Sequence, residues 1–487
     1  MIKYIPKQNE IGKSLLDIFL YKNDMKIHTP CSGNGRCGKC LIKAEGELSL
    51  PSEREKMLLG DKIDSGFRLA CMCCAQGEFF YEFTGEKISK IQGDFSGENA
   101  GTSFSEGYGM AVDVGTTTVA VYLVELASGR VISSDLFQNP QTVHASDIIS
   151  RILFTETEKN GLEILYDEIN GAIVESKNKL CKSPLSRVVI CGNTVMEHIL
   201  CKTDVSSLAK LPFTPLSLFG DKHSLPVFDN AYIAPCIGGY VGGDISMGAV
   251  AAGIDKEKKT TLYIDIGTNG EIVLISDEKI YTCATAAGPA FEGADIECGC
   301  SAVPGAISRV YYDGGKLRFE TIDNKKPCGI CGSGLIDCIA VMLDCGILDS
   351  SGRLNCEKYF FCEDVYISQK DIRNIQSAKA AIAAGIDVLL DRANEKAENI
   401  SKTVVAGGFG THINTQSAEK IGLIPGNVDD VISVGNSAGH GAVNCVLNDN
   451  EIKRTEEFAK KAEYTELSLC KKFNEFYIDE MCFEEKE

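Results

Sequence analysis

Two copies of one short pattern constrain this chain more than anything else in it. MAVDVGTTTVAVYLVEL at 110–126 and LYIDIGTNGEIVLIS at 262–276 each run apolar strand, Asp-x-Gly-Thr, apolar strand. Asp113, Gly115 and Thr116 match Asp265, Gly267 and Thr268, 152 residues further on (113 to 265). Each copy predicts a β-hairpin. Two of them at a domain-sized separation imply two similar subdomains facing each other across a cleft. The hairpin tips offer Gly-flanked backbone N–H groups, the hydroxyls of Thr116, Thr117, Thr118 and Thr268, Asn269 and Gly270, and one carboxylate each. That set suits a polyphosphate and its Mg2+: amides and hydroxyls donate to phosphate oxygens, and the carboxylate holds the metal through water. A third element, VVAGGFG at 404–410, reads as a buried strand ending in Gly407, Gly408 and Gly410, where bare backbone suits the close approach of an adenine or ribose. Any one of these is a weak signal. Their order carries the reading.

A second constellation lies near the N-terminus. Cys31, Cys37 and Cys40 are spaced C-x5-C-x2-C within CSGNGRCGKC, and Cys71 follows in RLAC. Gly33, Gly35 and Gly38 let the backbone curl and turn its N–H groups toward sulfur. Plant-type [2Fe–2S] ferredoxins use C-x4-C-x2-C…C, one residue shorter in the first gap. Structural zinc favours paired C-x2-C knuckles, and this stretch has a single such pair. A [2Fe–2S] cluster on these four thiolates is therefore expected, with Cys73 and Cys74 as stand-ins for Cys71. The chain is expected to carry electrons.

Composition excludes several classes. The formal net charge of −19 disfavours a nucleic acid or an anionic membrane as partner, and no run of 18 apolar residues is present. The first residues, MIKYIPKQNE, lack the apolar stretch of a signal peptide. The 22 cysteines are scattered through 487 residues, unlike a secreted disulfide scaffold, which is short. A cytoplasmic, reducing and anaerobic setting is expected.

Taken together these residues resemble two families joined end to end. The first stretch is similar to β-grasp [2Fe–2S] ferredoxins. From about residue 108 the chain resembles the superfamily of acetate kinase, sugar kinases, heat-shock chaperone ATPases and actin, with DVGTTT as phosphate loop one, DIGTNGE as phosphate loop two and GGFG as the adenosine loop. The combination resembles the reductive activators of corrinoid-dependent enzymes. NPQ at 139–141, DIISRI at 147–152, GNTVMEH at 192–198, TAAGPAFEGADI at 285–296, CGICGSGLID at 328–337, SQKDIRNIQ at 368–376 and VGNSAGHGA at 434–442 add to that likeness. The resemblance implies a multidomain α/β and α+β fold: a β-grasp ferredoxin domain at 1–84, a flexible linker at 85–107, and a duplicated ribonuclease H-like ATPase at 108–487. Its subdomains would span about 108–258 and 259–450, followed by a C-terminal helical segment at 451–487. The linker is shorter than the extra domain that relatives often carry there, and Ala284 stands where the family tends to have Ser.

The same resemblance implies ATP-dependent transfer of one electron from the cluster to Co(II) of a corrinoid protein in a methyltransferase system, restoring Co(I). Cofactors would be the [2Fe–2S] cluster, ATP and Mg2+. Partners would be the corrinoid protein and a low-potential electron donor, with a homodimer left open. Asp113 and Asp265 would act on metal and water, and Glu271 would orient the attacking water unless it is a strand-edge carboxylate. Asp244, after the glycine-rich run at 238–243, is either a further metal–water ligand or a helix cap. A one-electron gap of about 300 mV is roughly 7 kcal/mol, beyond a typical allosteric coupling of about 1–3 kcal/mol, hence the need for ATP. Alternatives are a nucleotide-sensing electron-transfer adaptor, a small-molecule kinase carrying a ferredoxin, and an activator of a 2-hydroxyacyl-CoA dehydratase-type enzyme.

Overall fold

The computed structural model describes residues 1–19, 40–83, 102, 104–407, 413–426 and 430–483. Cys31, Cys37, Gly408 and Gly410 lie outside the described residues. The N-terminal unit is a four-stranded antiparallel sheet of β1 (Ile2–Tyr4), β2 (Leu41–Leu48), β3 (Phe67–Leu69) and β4 (Ala75–Phe83), in the order β1-β4-β2-β3. Helix α1 (Leu15–Phe19) lays Leu15, Leu16, Ile18 and Phe19 on it, and Phe19 meets Phe79 and Tyr81 edge to face or tilted. Helix α2 (Glu53–Leu59), capped by Ser52, sends the buried Glu55 carboxylate to the Arg68 guanidinium through two bonds of 2.9 and 3.0 Å. Glu55 also accepts from the Leu69 amide, so one buried ion pair fixes the strand that leads to Cys71.

The rest of the chain is built twice. The first lobe holds β5 (Tyr108–Val114), β6 (Thr118–Glu125), β7 (Arg130–Gln138), β8 (Arg187–Gly192), β9 (Lys222–Leu225) and β10 (Phe228–Ile233), ordered β7-β6-β5-β8-β10-β9. Antiparallel β5 to β7 form a meander, while β8 and β10 join in parallel. Helices α3 (Ile148–Thr157), α4 (Gly161–Leu180) and α5 (Thr194–Leu200) cover one face, with Ile152, Leu165, Ile169 and Ile173 in its core. Helix α6 (Gly243–Ala251) then leads out.

The second lobe opens with the same meander, β11 (Thr261–Ile266), β12 (Gly270–Ser276) and β13 (Lys279–Thr285). An insertion follows: β14 (Ala306–Asp313), β15 (Lys316–Thr321), β16 (Gly329–Ile330), α7 (Gly332–Asp344), β17 (Lys358–Cys362) and β18 (Val365–Ser368). The long α8 (Gln369–Ala393), started by a Ser368–Asp371 capping box, packs along the meander. The chain returns through β19 (Lys402–Ala406), α9 (Thr415–Lys420), β20 (Val431–Gly435), α10 (Ser437–Leu447), α11 (Asp449–Lys461), β21 (Ala462–Thr465) and α12 (Lys471–Asp479). The sheet order is β20-β19-β11-β12-β13-β21. Both lobes thus share a meander of three strands followed by two parallel strands, and Asp113 and Asp265 are the penultimate residues of the corresponding central strands.

Three features depart from the sequence reading. Thr102, inside the expected linker, donates to the Leu126 carbonyl at 2.6 Å, and Phe104 packs on the first lobe beneath Arg187. Apolar and hydroxyl side chains dock the linker's last residues. The segment after 451 is not purely helical, because β21 extends the second sheet beside β13 in parallel register. Finally, the lobes exchange helices. Ile245, Ala249 and Val250 of α6 share a core with Tyr263, Val273 and Val404 of the second lobe, whereas Ala438, Ala442 and Val446 of α10 pack with Ala111, Ala120 and Val189 of the first. The two helices cross at glycines: a Cβ on Gly441 would meet the Met247 carbonyl at 2.3 Å, and one on Gly248 the Tyr263 hydroxyl at 2.6 Å. Among the described residues no helix is long and apolar enough to cross a membrane.

Candidate active site: an acid-lined cleft and a cysteine pair

The two hairpin tips and the start of α6 converge. Asp113 still touches solvent in the cleft, yet dense protein around it pushes its carboxyl up to about 6, with the Asn436 amide opposing the shift. Burial raises Asp265 to about 7, helped by the charges of Asp113 and Glu292. Asp244 is raised by burial and then by Asp113 and Asp265. Glu271, buried at the start of β12 opposite Asp265, is raised by burial and by Asp244 and Asp265. Burial and the charges that Asp113, Asp244, Asp265 and Glu271 place on their neighbours disfavour ionisation here, which a bound cation would relieve. Among the described residues no three His, Cys, Asp or Glu side chains form a ready cage for a metal. The arrangement fits Mg2+, which keeps several waters and takes one or two carboxylates plus substrate phosphates.

Loop one is held by its carbonyls. Asn139 Nδ2 donates to the Gly115 carbonyl at 2.9 Å, the Asn139 amide donates to Thr117 O at 2.8 Å, and the Arg151 guanidinium donates to Thr116 O. In a trans peptide the N–H points opposite to the preceding C=O. Tying these carbonyls back therefore turns the N–H groups of Thr116, Thr117 and Thr118 away from Asn139 and Arg151, as a phosphate cradle requires. Arg151 is wholly buried, and burial brings it down to about 9. It also donates to Gln141 Oε1 at 3.0 Å and Ala145 O at 3.2 Å. The NPQ and DIISRI segments owe their place to this scaffold.

Loop two is held differently. The Gly267 amide donates to Asn269 O at 2.9 Å, and Thr268 Oγ1 donates to Glu292 Oε2 at 3.0 Å. Gly270 lies against α8, where a Cβ would meet Ile382 at 2.9 Å. Gly407, at φ +94, abuts the same site: a Cβ there would meet Ile266 O at 2.6 Å and Asp265 Oδ1 at 2.8 Å. Asn193, the N-cap of α5, donates to Tyr240 O at 3.2 Å and reaches Glu271 at 3.5 Å. Asp244 is not the cap of α6, a place Gly242 takes; it accepts from Ile245 N at 2.8 Å and faces the cleft. Glu292, Arg151, Asn139 and Asn436 escaped the sequence reading. They sit in segments that it marked, but their partners are distant in sequence. His198, buried with Nδ1 2.7 Å from Thr194 O and Nε2 accepting from the Ser217 amide, braces the first lobe.

In the N-terminal unit the Ala70 amide donates to Cys40 O at 2.8 Å, which sets Cys40 and Cys71 side by side with their sulfurs 3.2 Å apart. A disulfide would need about 2.05 Å. Two thiolates on one tetrahedral metal, with bonds of about 2.3 Å, stand roughly 3.8 Å apart, so this pair fits a shared iron with a small adjustment. Cys73 is buried among Leu15, Leu69 and Phe79, and burial pushes its thiol up to about 12.

Duplicated lobes with an acid-lined site at their paired hairpin tips, in one chain with a small thiol-bearing sheet, have counterparts. Residues 6–76 match the 2Fe-2S iron-sulfur cluster binding domain, 108–257 the RACo middle region, and 259–487 the C-terminal domain of RACo, the ASKHA domain. The corrinoid activation enzyme RamQ of Eubacterium limosum is 32% identical over 414 residues, covering 76% of this chain and 69% of that protein. The [Co(II) methylated amine-specific corrinoid protein] reductase of Methanosarcina barkeri is 24% identical over 418 residues, 77% of each. A solved structure described as a reductive activator for corrinoid, iron–sulfur protein matches 99% of this chain and 98% of its own at 27% identity, with a TM-score of 0.70. The chain belongs to the RACo family of corrinoid reductive activators.

Proposed function

We propose that this chain restores an inactive corrinoid protein of a methyltransferase system by an ATP-dependent, one-electron reduction of Co(II) to Co(I). The observation that carries the reading is the Cys40–Cys71 pair at 3.2 Å on a domain that precedes an acid-lined cleft in the same polypeptide. Cys31, Cys37, Cys40 and Cys71 would hold a [2Fe–2S] cluster, which when bound stores one electron. The chain accepts that electron from a low-potential donor and passes it to the substrate's cobalt. We place it in the cytoplasm, where its many thiols stay reduced.

The cleft residues divide the nucleotide work. Thr116, Thr117 and Thr118 present N–H groups and hydroxyls to phosphate oxygens on one side, and Thr268, Asn269 and Gly270 on the other. Asp113 and Asp265 would hold Mg2+ through its waters, and Glu271 would orient the attacking water. Gly407, with Gly408 and Gly410 beyond it, leaves bare backbone for the adenosine. The helix exchange at α6 and α10 couples the two lobes beside the cleft. The direct test combines this protein, ATP, a low-potential reductant and candidate corrinoid proteins, and follows the Co(I) absorption band. Co(I) should form only with ATP present and should be lost in Cys40→Ser and Cys71→Ser. Undiminished reduction without ATP, or no Co(I) with any corrinoid protein, would defeat the proposal.

A further inference from the structure

Across 323 residues of sequence, Asn436 Nδ2 donates to Asp113 Oδ2 at 2.8 Å. The orientation of that amide is not free. Asn436 is the N-cap of α10, and its Oδ1 accepts from the Gly439 amide at 2.8 Å. With the oxygen committed to the helix, the NH2 end must face Asp113, and its second proton points toward the Tyr122 hydroxyl at 3.2 Å. The neighbouring residues bind the other lobe. The Gly435 carbonyl accepts from Gly407 N at 3.0 Å, and Ser437 Oγ shares a hydrogen bond of 2.8 Å with the buried hydroxyl of Tyr263. Residues 435–437 therefore touch the adenosine-side glycine, the first lobe's acid and the second lobe's central strand in succession. They do so beside the glycine crossing of α6 and α10.

We propose that Asn436 is a positioning residue for the nucleotide's metal: it holds the Asp113 carboxylate with one oxygen engaged and the other left for Mg2+ or its water, and Ser437 ties that setting to the second lobe. The proposal rests on the reading of the cleft as a Mg-nucleotide site. Asn193 offers a contrast from the opposite side. It too is a helix N-cap, but its Nδ2 favours a backbone carbonyl and reaches Glu271 only at 3.5 Å.

Capping and positioning are separable by substitution. Asn436→Ser keeps an N-cap acceptor but is too short to reach Asp113, whereas Asn436→Ala removes both roles. The full-length protein is titrated calorimetrically with a non-hydrolysable ATP analogue, once with Mg2+ and once with EDTA, and thermal melts are recorded in parallel. In Asn436→Ser the melting temperature should stay at the wild-type value while the gain in affinity that Mg2+ confers falls roughly tenfold, the size expected for losing one hydrogen bond to a charged group. Asn436→Ala should show the same loss of the metal effect together with a lower melting temperature. If Asn436→Ser keeps the wild-type metal effect while Asn436→Ala merely melts earlier, the residue is a cap only and the proposal is overturned. A wild-type protein that binds the analogue equally with and without Mg2+ overturns the reading of the cleft and this inference with it.

Discussion

The two lobes place the same hairpin at the same point of the same sheet, yet they stiffen it by different means. In the first, a buried guanidinium and an asparagine grip the backbone carbonyls of the turn. In the second, the turn's own Thr268 side chain is anchored to Glu292, and α8 closes the back. Their extra edge strands also lie on opposite sides: β9 antiparallel beside β10, β21 parallel beside β13. Duplication preserved the central topology and the penultimate Asp, whereas the supports diverged. Function demands a fixed turn, and several chemistries can fix one.

That difference is testable, beginning where the effect should be largest. Arg151 has no solvent to fall back on, and its removal strands the carbonyls of Thr116 and Ala145 and the Gln141 amide oxygen. Arg151→Met should cost on the order of 3 kcal/mol or more, read as a lower urea midpoint at unchanged slope, and should abolish nucleotide binding. A near-wild-type midpoint would show that the first loop is not carried by this cation. Next, Gly407→Ala should strain a backbone at φ +94 and press a methyl on Ile266 O and Asp265. A cost of about 1–3 kcal/mol and loss of nucleotide affinity are expected by melting and titration. Smaller still, Glu292→Ala frees only Thr268 in the second loop. It should weaken the nucleotide roughly tenfold and barely move the melting temperature, the reverse of the balance at Arg151.

How much of this was legible beforehand follows from where each signal lives. The hairpins around Asp113 and Asp265 were readable because alternation of apolar residues and an Asp-x-Gly-Thr turn are local properties. The thiol spacing and the Leu-Ala-Cys context pointed to Cys40 and Cys71 over Cys73 and Cys74, and the two lie 3.2 Å apart. The helix exchange was not readable. Ser437–Leu447 looks like any apolar helix, and nothing nearby says that its face belongs to the other lobe's sheet. Strand β21 was hidden in the same way, as four residues whose pairing with Ile280–Cys283 is set across more than a hundred residues. Glu292, Asn139, Arg151 and Asn436 lay in segments that the resemblance marked. Polar residues announce a partner, but sequence does not say which.

The finest contrast between the lobes is electrostatic, and its sign can be worked out. Asp113 is raised to about 6 and Asp265 to about 7, both chiefly by burial, against an ordinary value of 3.8. A carboxyl raised on folding makes the folded state bind protons that the unfolded chain has already released. Its neutral form thus adds stability that is present at pH 4 and below and is lost as the pH climbs through 6 and 7. In metal-free protein, melting temperatures should therefore decline between about pH 4 and pH 7 for this part of the titration. Asp113→Asn and Asp265→Asn should each flatten the decline. Subtracting each variant's curve from the wild type isolates that carboxyl together with its effect on the acids it is coupled to. Mg2+ with nucleotide should flatten the wild-type curve in the same way, because a bound cation restores the balance that burial upset. Parallel curves for wild type and both variants would mean that the two acids are not held against their charge, and the equivalence of the two hairpin tips would then be one of shape alone.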